Sequence, residues 1–235
     1  SLIKKYKYFF LSDMSEKSIN KLNLIQANIK KISASNLIKP EIICITKTFS
    51  FEKIRPLVES GHIHFGENKV QEAEKKWIEV RKTNNQLRIH MVGKLQTNKA
   101  KKAVETFDFI HSLESTKLAD ALKKREIELN KKLSYFIQIN IGKENQKAGI
   151  SPNDAKEFLS YCTSKIHLKV IGLMTIPPND NNTEKYFEEI SLLNSKLGLK
   201  QLSMGMSDDY ELATKYKSTF LRIGSAIMGP RNINE

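Results

Sequence analysis

Apolar residues along this chain come in short β-type runs, separated by longer segments in which they recur every three or four positions. The runs predict strands at about 42–46 (IICIT), 62–65 (HIHF), 89–92 (IHMV), 108–112 (DFIHS), 135–141 (YFIQINI), 168–175 (LKVIGLMT), 201–204 (QLSM) and 220–223 (FLRI). Stretches of this length rich in β-branched and aromatic residues favour buried, extended pairing. Between them, NKVQEAEKKWIEVRK, QTNKAKKAVET, STKLADALKKREIELNKK, SPNDAKEFLSYCTSK and NTEKYFEEISLLNSKLG carry helical spacing. Ser151 before Pro152 reads as a helix start, a side-chain cap followed by the residue whose missing N–H costs nothing in a first turn. A further helix over about 16–34 precedes the first strand.

Eight strands alternating with helices imply an α/β fold, a single (β/α)8 TIM barrel with an extra amino-terminal helix. The expected division is a disordered extension over 1–13 and one barrel domain over 14–235. A doubly wound open sheet would normally carry a glycine-rich turn after its first strand, and here that turn is TKTFSFEK. A barrel places chemistry at the carboxyl ends of its strands and phosphate near the loops after strands seven and eight. The unusual residues gather at that end: Lys47 after strand one, FGENK after strand two, GKLQTNK after three, GMSDD after seven and GSAIMG after eight.

Lys47 has two readings, a strand reaching water or an amine meant to react. In LSMGMSDDYELA, Asp208 with Glu211 three residues later fits a capping box, so Ser207 can be read as part of an ordinary helix start. Gly205 nearby and the second turn RIGSAIMGP, with the backbone of Gly224 and Ser225, also fit an anion-binding cradle made of helix-start N–H groups. Arg222 lies between Leu221 and Ile223 in an apolar strand. A buried guanidinium needs an acceptor, and either a structural ion pair across the barrel or a ligand supplies it.

The formal net charge of +13 raises a nucleic-acid reading, but only six of the 39 basic residues are arginine. Base-edge and phosphate-fork recognition favours arginine, and the lysines are dispersed, so no specific nucleic-acid partner is expected. Those at 99–102 and 123–124 read as solvated helix faces, and Trp77 as packing. Two cysteines, Cys44 and Cys162, are too few for a disulfide framework. That fits a reducing, cytoplasmic compartment. No apolar run approaches the ~18 residues that cross a bilayer. His62, His64, His90 and His111 sit beside strands without a carboxylate or cysteine at ligand spacing, so no metal site is expected.

Lysine, cradle and arginine together suggest a pyridoxal phosphate site. The motifs CITKTF, HFGENKVQEAEKK, IHMVGKLQTNK, IHSLES, IGLMTIP, LSMGMSDDYELA and LRIGSAIMG resemble the pyridoxal phosphate homeostasis protein family, stand-alone relatives of the alanine racemase amino-terminal barrel. The resemblance runs from about Met14 to Arg231. It implies that Lys47 holds pyridoxal 5'-phosphate as an aldimine. It further implies that Ser207 with the backbone of Gly224 and Ser225 holds the phosphate, and that Arg222 meets the pyridine nitrogen. Asn68 and Met204 would line the ring, with His90 near the pocket. Lys94 stands where the family usually has histidine, which puts any histidine-specific role at that turn in doubt. Alanine racemase takes its second base, a tyrosine, from a carboxyl-terminal domain, whereas this chain ends soon after its eighth strand. The expectation is therefore a monomeric carrier that buffers pyridoxal phosphate or delivers it to recipient enzymes, without dedicated turnover. The alternative is an amino-acid racemase or decarboxylase of the alanine racemase type.

Overall fold

The computed structural model describes residues 2–145 and 147–230, with the side chains of 2 and 5–11 left aside. Eight parallel strands close on themselves in chain order: β1 Glu41–Ile45, β2 His64–Glu67, β3 Arg88–Met91, β4 Phe109–Leu113, β5 Ser134–Gln138, β6 Val170–Met174, β7 Gln201–Ser203 and β8 Phe220–Ile223. The β8–β1 seam pairs Ile43 with Arg222 and Cys44 with Ile223. Helices alternate outside: α2 Phe51–Glu59, α3 Val70–Thr83, α4 Ala100–Thr106, α5 Thr116–Leu129, α6 Ala155–Ser160, α7 Thr183–Lys196, α8 Tyr210–Lys215 and α9 Ser225–Met228. The expected barrel is the observed one.

Differences from the expected bounds are small and have local causes. Strand β2 begins two residues later than expected, a shift that keeps every side chain on its face because the side-chain period is two. Strand β5 stops at Gln138, and Ile139 continues only as an isolated bridge to Ile150. Pro152 opens a single 3-10 turn before α6, and Ser151 Oγ accepts from the Asn153 N–H at 3.4 Å, as its capping role requires.

The stretch 1–13 departs from expectation. Its described part, from Leu2, belongs to α1 (Leu2–Ser33) rather than to a disordered extension; Ser1 and 231–235 lie outside the described residues. No Gly or Pro interrupts 2–33, so nothing in the sequence breaks the helix before its packed part. Leu22, Ile25 and Ile29 are buried at helical spacing, and α1 packs against α2, α8 and α9. Asn28 donates to Tyr210 Oη at 3.0 Å and Glu211 Oε1 at 2.6 Å, tying α1 to α8.

Alternation along the strands separates two cores. Outward residues such as Cys44, Phe65, Ile89 and Leu221 meet the helices in one large apolar cluster. Inward residues form a smaller one, with Ile43, Phe136, Met174 and Phe220 buried and Ile45, Phe109 and Ile171 packed against them.

Candidate functional site

Lys47 lies two residues beyond β1, in the turn at the strand's carboxyl end, and is half-buried. The turn that carries it is held from outside. Thr46 Oγ1 donates to Glu67 Oε1 at 2.7 Å, and Lys76 Nζ bridges the Thr46 carbonyl (2.8 Å), Glu67 (2.8 Å) and Glu72 (3.1 Å). Trp77 Nε1 donates to the same Glu67 oxygen at 3.0 Å. Thr48 sits at φ 69°, in the left-handed region, where its N–H donates to Glu72 Oε1 at 2.6 Å. Glu67 is fully buried, and burial pushes its carboxyl above the usual carboxylate range against the pull of Lys76, Trp77 and Thr46. Its Oε2 has no partner among the described residues. Trp77 is thus more than packing.

The turns after β7 and β8 meet at Ser207. Its Oγ accepts from the Ala226 N–H, in the first turn of α9, at 3.1 Å. Having accepted, the hydroxyl keeps its own proton to give. Gly224 caps α9 and Ser225 opens it, exposed to solvent. The expected capping box does not form: the N-cap of α8 is Asp209, whose Oδ1 accepts from the Met206 N–H at 2.7 Å, while Glu211 is occupied by Asn28. Gly205 permits this turn. Its φ is +99°, and a Cβ there would fall 2.6 Å from Ala213 Cβ and 2.8 Å from Leu221 Cδ2.

Arg222 points into the barrel, 4% exposed. Nη1 donates to Ser203 Oγ at 2.6 Å and Nη2 to the Thr175 carbonyl at 2.9 Å. Among the described residues no carboxylate forms a salt bridge with it, so the cross-barrel ion pair weighed for this position is not observed. Burial lowers its pKa to about 10, with Asp209 pulling the other way. At neutral pH it remains a cation with N–H groups to spare.

Asn68 is half-buried after β2, packed so closely against Gly93 that a Cβ at 93 would lie 2.4 Å from the Asn68 carbonyl oxygen. With Lys94 and Lys99 it lines a cavity of about 470 Å³ at this end of the barrel. The structure therefore brings Lys47, Asn68, Ser207, Arg222, Gly224 and Ser225 to the strands' carboxyl ends or the barrel interior just beneath them. It does not bring Met204 there. That side chain is fully buried in the outer cluster, because parity gives the inward position to Ser203. His90 is also fully buried, deeper in the interior, with its ring nitrogens 2.9 Å from His64 and 2.8 Å from His111. Ser203 and Glu67 had no expected role, and His111 was weighed only as a metal ligand. Their one available signal was a polar residue inside an apolar strand run.

The sequence and the fold have known relatives. The sequence matches the family model for the alanine racemase N-terminal domain over residues 21–232. It is 36% identical to the pyridoxal phosphate homeostasis protein of Aquifex aeolicus, over 81% of this chain and 87% of that protein. Identity to the protein of the same name in Haemophilus influenzae is 35%, over 90% and 94%. PipY of Synechococcus elongatus, solved with pyridoxal phosphate bound, superimposes with a TM-score of 0.74 at 33% identity, over 86% of this chain and all of that one. An alanine racemase from Clostridium difficile, at 16% identity and TM-score 0.68 over 90% of this chain and 56% of that one, shares the fold.

Proposed function

The chain belongs to the pyridoxal phosphate homeostasis protein family, and from that membership we propose that it binds pyridoxal 5'-phosphate reversibly at the carboxyl end of its barrel. In this reading it buffers the cofactor or delivers it to recipient enzymes and has no turnover of its own. Lys47 would supply the amine that holds the cofactor through its aldehyde. The Ser207 hydroxyl, with the backbone N–H groups of Gly224 and Ser225, receives the phosphate. Arg222 donates toward the pyridine nitrogen, and Asn68 borders the ring. The observation that carries this reading is the Ser207–Ala226 hydrogen bond, which joins the turns after β7 and β8, the latter the strand that carries Arg222.

Bound pyridoxal phosphate supplies an aldehyde and an electron-withdrawing ring. Arg222, a cation at neutral pH, would give its hydrogen bond without giving up its proton, so a ring nitrogen held against it would stay unprotonated. An unprotonated ring is a weak electron sink, which favours holding the cofactor over carbanion chemistry. The near-full-length relatives named for homeostasis support the same reading.

The test is an absorbance titration of the purified protein with pyridoxal phosphate, beside Lys47→Ala, followed by addition of common amino acids. A saturable red-shifted band in the parent alone, with no turnover, is expected. Racemisation or decarboxylation at ~1 per second or faster, an ordinary enzyme rate, would overturn the carrier reading.

A further inference from the structure

A line of polar side chains runs through the barrel interior away from Arg222. Ser203 Oγ lies 2.6 Å from Arg222 Nη1 and 2.9 Å from His111 Nδ1. His111 Nε2 lies 2.8 Å from His90 Nδ1, and His90 Nε2 lies 2.9 Å from His64 Nδ1. Ser203, His111 and His90 have no exposure; His64, at 9%, opens on a cavity of about 500 Å³ at the amino-terminal end of the strands. Aromatic faces fix the ring planes: His90 stacks on Phe109 at 4.2 Å and His111 on Phe136 at 4.3 Å.

We propose that Arg222, Ser203, His111, His90 and His64 form one directional hydrogen-bond relay, each imidazole neutral with its proton on Nε2, in which Ser203 and His111 are positioning residues for Arg222. The direction follows from donor arithmetic. A guanidinium only donates, so Ser203 Oγ accepts from it and has one proton left to give. Its remaining partner among the described residues is His111 Nδ1. A proton on that nitrogen would strand a buried hydroxyl, at the cost of an unmade hydrogen bond. His111 therefore donates from Nε2 to His90, and His90 from Nε2 to His64. Every dipole then turns its negative end toward the Arg222 cation, so charge and geometry favour the same polarity.

Burial, with the charges of neighbouring histidines and of Arg222, keeps the His90 and His111 rings well below the usual imidazole range. His64 also faces His62, Arg88 and Asp108, and Asp209 stands beside Arg222. The relay links the arginine at the cofactor end to a cavity at the opposite end. Its positioning role rests on the cofactor reading above, whereas its polarity does not.

Nitrogen-15 NMR of the histidine-labelled full chain without cofactor tests the polarity. Three rings protonated on Nε2 alone at pH 7 are expected, with Ser203→Ala shifting the His111 signals and Ser203→Thr restoring them. A cationic ring, an Nδ1 proton on any of the three, or His111 signals indifferent to Ser203→Ala would overturn the relay. Positioning is then read from pyridoxal phosphate affinity, expected about tenfold weaker in Ser203→Ala, one lost hydrogen bond to a charged group, and recovered in Ser203→Thr. An unchanged affinity would remove the positioning role. Absence of binding even in the parent protein would sink the cofactor reading and, with it, that role, while the polarity result would stand.

Discussion

Behind Lys47, the cluster of Thr46, Glu67, Lys76 and Glu72 is charged and lies in the seam between barrel and helices. Behind Arg222, Ser203 and three histidines hold no second formal charge and lie inside the barrel. The contrast follows from what each location offers. Along the seam, α3 brings a long lysine and an indole N–H to a buried carboxylate. In the interior the strands' backbone groups are largely committed to the ladder, so polar side chains satisfy one another in series. One end of the site is held by ion pairing, with an orphaned Glu67 oxygen as its weak point. The other is held by neutral groups bonded in series, from Ser203 to His64.

The largest effect should come from breaking the charged side of this contrast. Lys76→Met leaves Glu67 buried without its cation, and a loss of about 3–5 kcal/mol is expected for such a broken pair. Urea unfolding at pH 7 measures it. The double variant Glu67→Gln with Lys76→Met should lose less than Lys76→Met alone. Equal losses would mean that stranded charge is not what the seam protects against.

Lowering the pH should act on the neutral side. His64, His90 and His111 are held below the ordinary imidazole value, His64 to about 4. The unfolded chain therefore binds more protons than the folded one below about pH 6.5, and stability falls as pH falls through that window. Each ring contributes up to about 1.4 kcal/mol per pH unit. Glu67, with its folded value raised, has the opposite sign: its contribution is present at low pH and is lost as pH rises above the ordinary carboxylate value. Unfolding at pH 5 and pH 7 should show lower stability at pH 5, with a shallower slope in His111→Asn. An unchanged slope would contradict neutral rings.

The order of strands, the barrel and the end at which Lys47, Asn68 and Ser207 gather were all legible in the sequence, because apolar runs and their spacing are local signals. The positions of Lys47, Ser207 and Arg222 in the fold were legible for the same reason, each sitting where a strand runs out or where an apolar run is interrupted. The Glu67–Lys76–Trp77 seam was not, since it depends on a carboxylate and a helix face meeting at one point in space. Met204 was assigned to the mouth although period-two parity gives the inward place to Ser203. The capping box at Asp208 matched a pattern, but Asn28 from α1 had already taken Glu211.

The smallest effect sharpens the contrast at the cradle. Ser207→Ala removes the acceptor of the Ala226 N–H at a half-exposed turn where water can replace it. Stability should change by less than about 0.5 kcal/mol. Affinity for pyridoxal phosphate, followed by absorbance, should fall about tenfold or more, the worth of one hydrogen bond to a charged group. A stability loss without an affinity loss would make Ser207 structural.

Reductive trapping tests whether one amine, Lys47, holds the cofactor as proposed. The protein is saturated with pyridoxal phosphate, reduced with borohydride and digested, and the phosphopyridoxyl group is located by peptide mass. The added mass is expected on the peptide containing Lys47 and nowhere in Lys47→Ala. The same mass on Lys76, Lys94 or another lysine, with Lys47 unmodified, would contradict it.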